Sequence, residues 1–254
     1  MRAQALPARA GWRWLADGYA IYRRNPAMMM VLTASYCLSL LVLQIIPVAG
    51  VIAVYFAMPF LGVGLMNACR DLDWGRPVTP GAVFSGTKQN PRGLLILGAA
   101  YLVCALAVLG LMLVIDGGEF MRMLATKPEE RTALEGGLFV PLLLIAIMTL
   151  ISMAWWYAPV LAAWHGLTAP KALFFSFVAC WLNWRPFLVY VLSIFLFGAL
   201  LPAIFLFLIA ATAPGAMRLG TTLVSMPVLM VLLPVIFVSF YVSYRDVFGV
   251  DERV

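Results

Sequence analysis

With 254 residues, 64% of them hydrophobic and 11% charged, the chain falls outside the composition of soluble globular domains and reads as an integral membrane protein. A formal charge of +6 would suit nucleic acid in a soluble protein, but in a membrane chain the placement of charges outweighs their sum, so nucleic acid is not expected as a partner. There is no Gly-rich phosphate loop and no C-x-x-C pair, so no cofactor or metal is expected.

The first element is PARAGWRWLADGYAIYRRNP, in which Trp12, Leu15, Tyr19 and Tyr22 recur at spacings of three and four, the period of one helical face. It is amphipathic, and it is expected to lie in the membrane interface over residues 8–24. At Asn25-Pro26 the chain turns abruptly into an unbroken apolar run. Proline disfavours helical geometry in the residue before it and suits the first turn of a helix it opens, so such a step ends an in-plane helix and starts a spanning one.

Spans are expected at 27–46, 51–69, 93–115, 138–163, 187–211 and 223–244, each near the roughly 20 residues needed to cross a hydrocarbon core. The first is too long for a signal-peptide core and is read as retained. Before the third span, TPGAVFSGTKQNP opens with Thr79 as cap and Pro80 at the first helical position, and closes at Asn90-Pro91. Before the fifth, TAPKALFFSFVACWLNWRP opens with Thr168 or Ala169 and Pro170, and closes at Arg185-Pro186.

Each even-numbered span holds a proline, Pro59, Pro159 or Pro234, and the second and sixth reach Arg70-Asp71 and Arg245-Asp246 after the same interval. The expected fold is therefore an all-α integral membrane protein with six transmembrane helices. They form a single membrane domain over 1–254, built as three repeats (about 8–71, 78–166 and 168–248) of an interfacial amphipathic helix plus a transmembrane hairpin. Thirteen of the seventeen Lys and Arg fall on the side that holds both termini, which makes that side cytoplasmic by the positive-inside rule. Arg13, Arg23, Arg24, Arg92, Lys171 and Arg185, with Trp12, Trp14, Trp181 and Trp184, are expected at lipid headgroups, where a basic side chain near an anionic leaflet contributes about 1 kcal/mol.

The N-terminal signature GWRWLADGYAIYRRNP, followed by six apolar segments with a short PVAG first turn, resembles a family of uncharacterised six-helix inner-membrane proteins of beta-proteobacteria, Burkholderia among them. The resemblance covers nearly the whole chain. More distantly, the layout is similar to the membrane domains of some glycerophosphodiester phosphodiesterases, whose soluble catalytic domain has no counterpart here. The likeness implies a bacterial inner-membrane location and carries over no residue role.

Chemistry is sparse. Ionisable groups deep in a membrane are costly and mark function, yet no Lys, Arg, Asp or Glu stands well inside a predicted span. The lone His165 lacks companions for metal binding or acid-base work, and the Arg-Asp pairs with Asp73 and Arg76 are read as helix-end charges that satisfy one another. The widely spaced Cys37, Cys69, Cys104 and Cys180 are read as small apolar fillers. The acidic segment EFMRMLATKPEERTALE reads as a solvated connector with the spacing of a short helix.

No catalytic residue is expected. The leading functional expectation is a non-enzymatic inner-membrane protein that binds or organises lipid or a membrane partner through three basic amphipathic interfacial helices. One alternative is a transporter or channel for an apolar or lipid-like substrate, with a cavity near Pro59, Pro159 and Pro234 lined by Met58, Tyr157 and Phe240. Another is an assembly factor for another membrane complex, whose partner would be an unidentified membrane protein.

Overall fold

The computed structural model describes residues 3–117, 139–212, 215 and 217–249. Among them every regular element is helical: α1 (Ala10–Tyr22), α2 (Pro26–Leu43), α3 (Ala49–Asp73), a 3₁₀ segment (Pro80–Lys88), α4 (Pro91–Asp116), α5 (Phe139–Trp155), α6 (Ala158–His165), α7 (Ala169–Leu182), α8 (Trp184–Phe195), one turn of π-helix (Leu196–Leu200), α9 (Leu201–Thr212) and α10 (Met217–Phe248). Six helices are long and apolar enough to cross a membrane: Pro26–Leu43, Ala49–Asp73, Pro91–Ile115, Pro141–His165, Trp184–Thr212 and Leu219–Phe248. The protein is thus an all-α multi-pass membrane protein. The connector EFMRMLATKPEERTALE lies outside the described residues.

Two corners form at the expected prolines. Pro26 opens α2, and the Asn25 side chain accepts the Met28 N–H at 3.2 Å, satisfying one of the amides that a helix start leaves orphaned. Pro91 opens α4, where Asn90 in the left-handed region accepts the Gly93 N–H at 3.2 Å. The third corner falls earlier than expected: α8 starts at Trp184 with Asn183 before it, and Pro186 sits inside the first turn, where a missing N–H costs nothing. The 3₁₀ segment follows Thr79 with Pro80 first, and α7 follows Thr168.

None of the three segments that precede odd-numbered spans is among the six helices long and apolar enough to cross a membrane. α1 has 13 residues, a length of about 20 Å at 1.5 Å per residue. It lies across α8 and α10; the 3₁₀ segment lies on α3; and α7 lies on α5 and α6. Each therefore leans on the second spanning helix of the preceding hairpin, with α1 reaching round to the last.

The seating of α1 is set by glycines. A Cβ at Gly11 would collide with the Pro186 carbonyl, and one at Gly18 would come within 2.9 Å of the Ser239 backbone. The buried stripe is consequently Gly11, Trp14, Leu15, Gly18, Ile21 and Tyr22, leaving Trp12 and Tyr19 exposed. This corrects the face expected from aromatic spacing. The 3₁₀ segment docks by the same device, Gly86 against Phe60 and Gly64 against Val83.

Burial is concentrated at the end that holds both termini. Apart from Met112 and Tyr190, the buried apolar residues fall within 10–32, 61–97, 157–180 and 235–248. Toward the other end, α9 and the π turn bury no residue at all.

Candidate functional site

Of the three expected prolines, Pro59 and Pro234 lie inside continuous helices, whereas Pro159 coincides with a break between α5 and α6. In an unbroken helix the Tyr157 N–H would bond the Met153 carbonyl. Here the Ser176 hydroxyl of α7 stands between them, accepting from Tyr157 N at 2.9 Å and donating to Met153 O at 2.9 Å. Inserting a side chain into the i→i−4 ladder keeps both groups satisfied while the helix changes direction.

Beside this joint is a cavity of about 400 Å³ whose lining includes Tyr36, Met58, Pro59, Trp156, Pro159 and Phe240. Four expected residues, Met58, Pro59, Pro159 and Phe240, thus meet around it. Tyr157 and Pro234 do not. Tyr157 is fully buried, its ring packed by Phe187, Phe240, Tyr244 and Phe248 and its hydroxyl donating to Ser243 at 3.1 Å. Pro234 is buried within α10. Sequence spacing placed the three prolines at equal depth but could not assign their helical faces.

Trp156 was not anticipated. Its ring meets Phe187 and Phe240 edge-on at 5.5 and 5.3 Å, and its indole Nε1 is buried without a hydrogen-bond partner among the described residues. Trp156 and Ser152 also border a second space, a groove of about 590 Å³ between α5 and α8. Its rims are Ile145, Met148, Trp184, Leu188 and Val191.

At the terminal end Asp73 is a hub. Its carboxylate accepts from Arg245 at 3.0 Å and from the Tyr241 hydroxyl at 3.2 Å, and faces Arg24 at 3.6 Å. The Arg24 guanidinium also donates to the Asp73 carbonyl at 2.6 Å and to the Leu72 carbonyl at 3.3 Å, closing the end of α3. Of the expected sequence-neighbour pairs, Arg245–Asp246 forms at 3.2 Å, but Arg70 and Asp71 separate. Arg70 lies over Trp164 at 4.4 Å, and Asp71 faces Arg76 at 3.8 Å. A cation over an indole face is stabilised by the ring quadrupole, which offsets its missing carboxylate.

His165 Nε2 lies 2.7 Å from the Tyr244 hydroxyl, and neighbouring Trp164 donates to Asn67 at 2.8 Å. Asn67 in turn holds Ser85 and Gln89, tying the 3₁₀ segment to α3. Asn183 is a second unforeseen tie. Fully buried, it accepts the Leu6 N–H and donates to the Gln4 and Ala179 carbonyls, all at 2.9 Å. The N-terminal residues are thereby stitched to the third corner, and Gln4 N–H bonds Val247 O at 2.8 Å. The four cysteines are free; burial pushes the Cys180 thiol up to about 12, which leaves it protonated and unreactive.

Of the expected headgroup residues, Arg13, Arg23, Arg92, Lys171 and Arg185 are exposed, as are Trp12, Trp181 and Trp184. Arg185 stacks on Trp184 at 5.3 Å and Arg23 on Tyr19 at 5.7 Å. Trp14 departs from the expectation: it is 0% exposed, packed edge-on against Phe187 and Tyr190 because Gly11 and Gly18 bring that face onto the bundle. Arg24 is half-exposed, but its guanidinium is engaged by α3.

A probable inner membrane protein of Burkholderia thailandensis is 33% identical to this chain over 261 residues, spanning 99% of the chain and 96% of that protein. No family model matches, and neither does a solved structure. The expected likeness to glycerophosphodiester phosphodiesterase membrane domains accordingly gains no support.

Proposed function

This chain belongs to the family of that Burkholderia inner membrane protein, and from this premise we propose that it is a non-enzymatic lipid-organising protein of the bacterial inner membrane, with both termini cytoplasmic. It is one membrane domain made of three degenerate repeats. The observation that carries the reading is the seating of the three interfacial segments at one end of the bundle, where Trp12, Arg13, Arg23, Arg92, Lys171, Trp181, Trp184 and Arg185 stay exposed. Aromatic bodies with one polar hydrogen, interleaved with cations, suit the headgroup layer of an anionic leaflet.

Arg24 acts within the protein, so the test uses Arg23 and Arg185. Reversal of both to Glu is expected to lower the anionic lipid retained through purification at least several-fold, measured by lipid mass spectrometry against the unaltered chain. Unchanged retention with unchanged topology overturns the reading.

A transport reading is favoured by one observation, the cavity of about 400 Å³ beside the broken fourth span. It expects flux of an apolar or lipid-like substrate through reconstituted vesicles. Flux that does not respond to Met58→Trp, which would fill the cavity, removes that support.

A further inference from the structure

We propose that the groove between α5 and α8 binds one acyl chain of an anionic glycerophospholipid, with the lipid phosphate at Arg185 and an ester carbonyl accepting from the Trp156 indole. The inference rests on the lipid-organising reading and assigns that reading a specific site.

Three observations carry it. The first is the orphaned donor: Trp156 Nε1 is buried and has no partner among the described residues, and its side chain lines the groove, so that a turn of the indole brings the N–H to a ligand there. An unpaired N–H in a membrane interior is costly, and a bilayer supplies little water to meet it. The lipid ester carbonyl is the abundant acceptor just below the headgroups.

The second is depth. Trp156 packs on Phe187 at a centroid distance of 5.5 Å, and Phe187 is two residues past Arg185, about 3 Å along the helix axis. A phosphate held by Arg185 therefore brings its glycerol esters to the level of the indole N–H. Arg185 is exposed, stacked on Trp184 at 5.3 Å, and Trp184 is itself a rim of the groove.

The third is the path. From Trp184 the groove runs to Ile145 and Val191, all lipid-facing, and through Ser152 and Trp156 it shares a wall with the central cavity. An acyl chain entering sideways from the bilayer meets a mainly apolar lining, in which Thr149 and Ser152 carry the hydroxyls. The groove between α1 and α10, bordered by Trp12, Phe197 and Val231, has no buried unpartnered donor among its lining residues and lacks this polar anchor.

The test uses the full chain in phosphatidylcholine vesicles that carry a minor fraction of phosphatidylglycerol with a photoreactive diazirine in its acyl chain. Adducts mapped by mass spectrometry are expected on Met148, Met153 and Val191 at five-fold or greater excess over Leu106 and Leu208 on other lipid-facing surfaces. Unlabelled phosphatidylglycerol competes, and phosphatidylcholine does not. Leu188→Trp, which fills the groove from a lipid-facing position, abolishes the excess. Ile145→Trp on the facing helix does the same, so one poorly inserted variant does not decide the matter. Trp156→Phe keeps an aromatic ring without the N–H and lowers occupancy about five-fold, as loss of roughly 1 kcal/mol would. Equal labelling of Leu106, or labelling unmoved by both groove-filling variants, overturns the site. If adducts are uniform while Arg23→Glu still reduces lipid retention, the site is wrong and the broader reading stands; if retention is also insensitive, both fall.

Discussion

The end of the bundle that carries the termini and the end that does not are joined by the same apolar spans, yet they are built differently. The terminal end holds the buried aromatics Trp14, Tyr157, Tyr241 and Tyr244, the Asp73 hub and the three short segments seated against the spans. The far end leaves Leu106, Ile145, Phe207 and Leu223 on the outside. Hydropathy does not explain the contrast. The most apolar span, Trp184–Thr212, buries none of the residues in its most apolar stretch, while the less apolar Ala49–Asp73 is the most buried of the six. Inside lipid an apolar side chain gains little by exchanging acyl chains for protein, so close packing is decided by small residues and by polar groups that need partners. Gly11, Gly18, Gly64, Ser176 and Asn183 supply both at the terminal end.

This contrast can be broken most severely by crowding a seat at one end and not at the other. Gly18→Leu would drive a side chain into the Ser239 backbone and is expected to cost more than about 3 kcal/mol, or to unseat α1 outright. Gly110→Leu, where an added Cβ meets nothing within 4 Å, is expected to be neutral. Thermal unfolding of the two variants in the same detergent decides between them, and equal losses would dissolve the distinction.

A smaller effect is expected at the joint of the fourth span. Ser176→Ala leaves a buried amide and carbonyl unpaired, at a cost of about 1–3 kcal/mol. Thr149→Ala serves as its counterpart, because Thr149 only returns its hydroxyl to Ile145 O on its own exposed helix; that change should remain within about 0.5 kcal/mol. Asp73→Asn sharpens the comparison electrostatically. It is expected to cost about 1–2 kcal/mol through the lost charge-assisted bond to Arg245 and the lost ion pair with Arg24, and the loss should shrink in high salt. Arg76→Ala, which removes from an exposed side chain the 3.8 Å contact with Asp71 and the stacking on Trp74 at 4.2 Å, should cost less.

The smallest effect concerns pH. A thiol raised to about 12 in the folded state has a higher proton affinity there than in the unfolded chain. Cys180 therefore has no effect on pH dependence below the ordinary thiol range near 8.5, and it erodes stability as pH climbs from there toward 12. Cys180→Ala should flatten that alkaline decline, and alkylation at pH 9 should reach Cys180 only after unfolding.

The six spans and two of the corners were legible because lengths of apolar sequence and Asn-Pro steps have direct backbone consequences. The third corner was read at Arg185-Pro186, since proline is the louder signal; the polar side chain that works there is Asn183, two residues earlier. The face of α1 was misread for a physical reason. Aromatic spacing marks where bulky groups lie, whereas the seat is chosen by Gly11 and Gly18, which alone admit another backbone. Ser176 and Trp156 left no trace in the sequence: a serine near a broken helix and a tryptophan in an apolar run are ordinary, and only three-dimensional neighbours make one a splice and the other an orphan. The two residues that were expected around the cavity but do not line it, Tyr157 and Pro234, lay at the right height on the wrong sides of their helices.

The docking of α1 also has a consequence in time. This helix is made before its seat, which is formed by α8 and α10, and α10 ends at Phe248. At typical synthesis rates of 5–20 residues per second, the chain has to wait on the order of ten to forty seconds before that seat exists. Through that interval α1 lacks its complete seat, and a nascent chain halted before α10 is left with the α8 side of that seat alone.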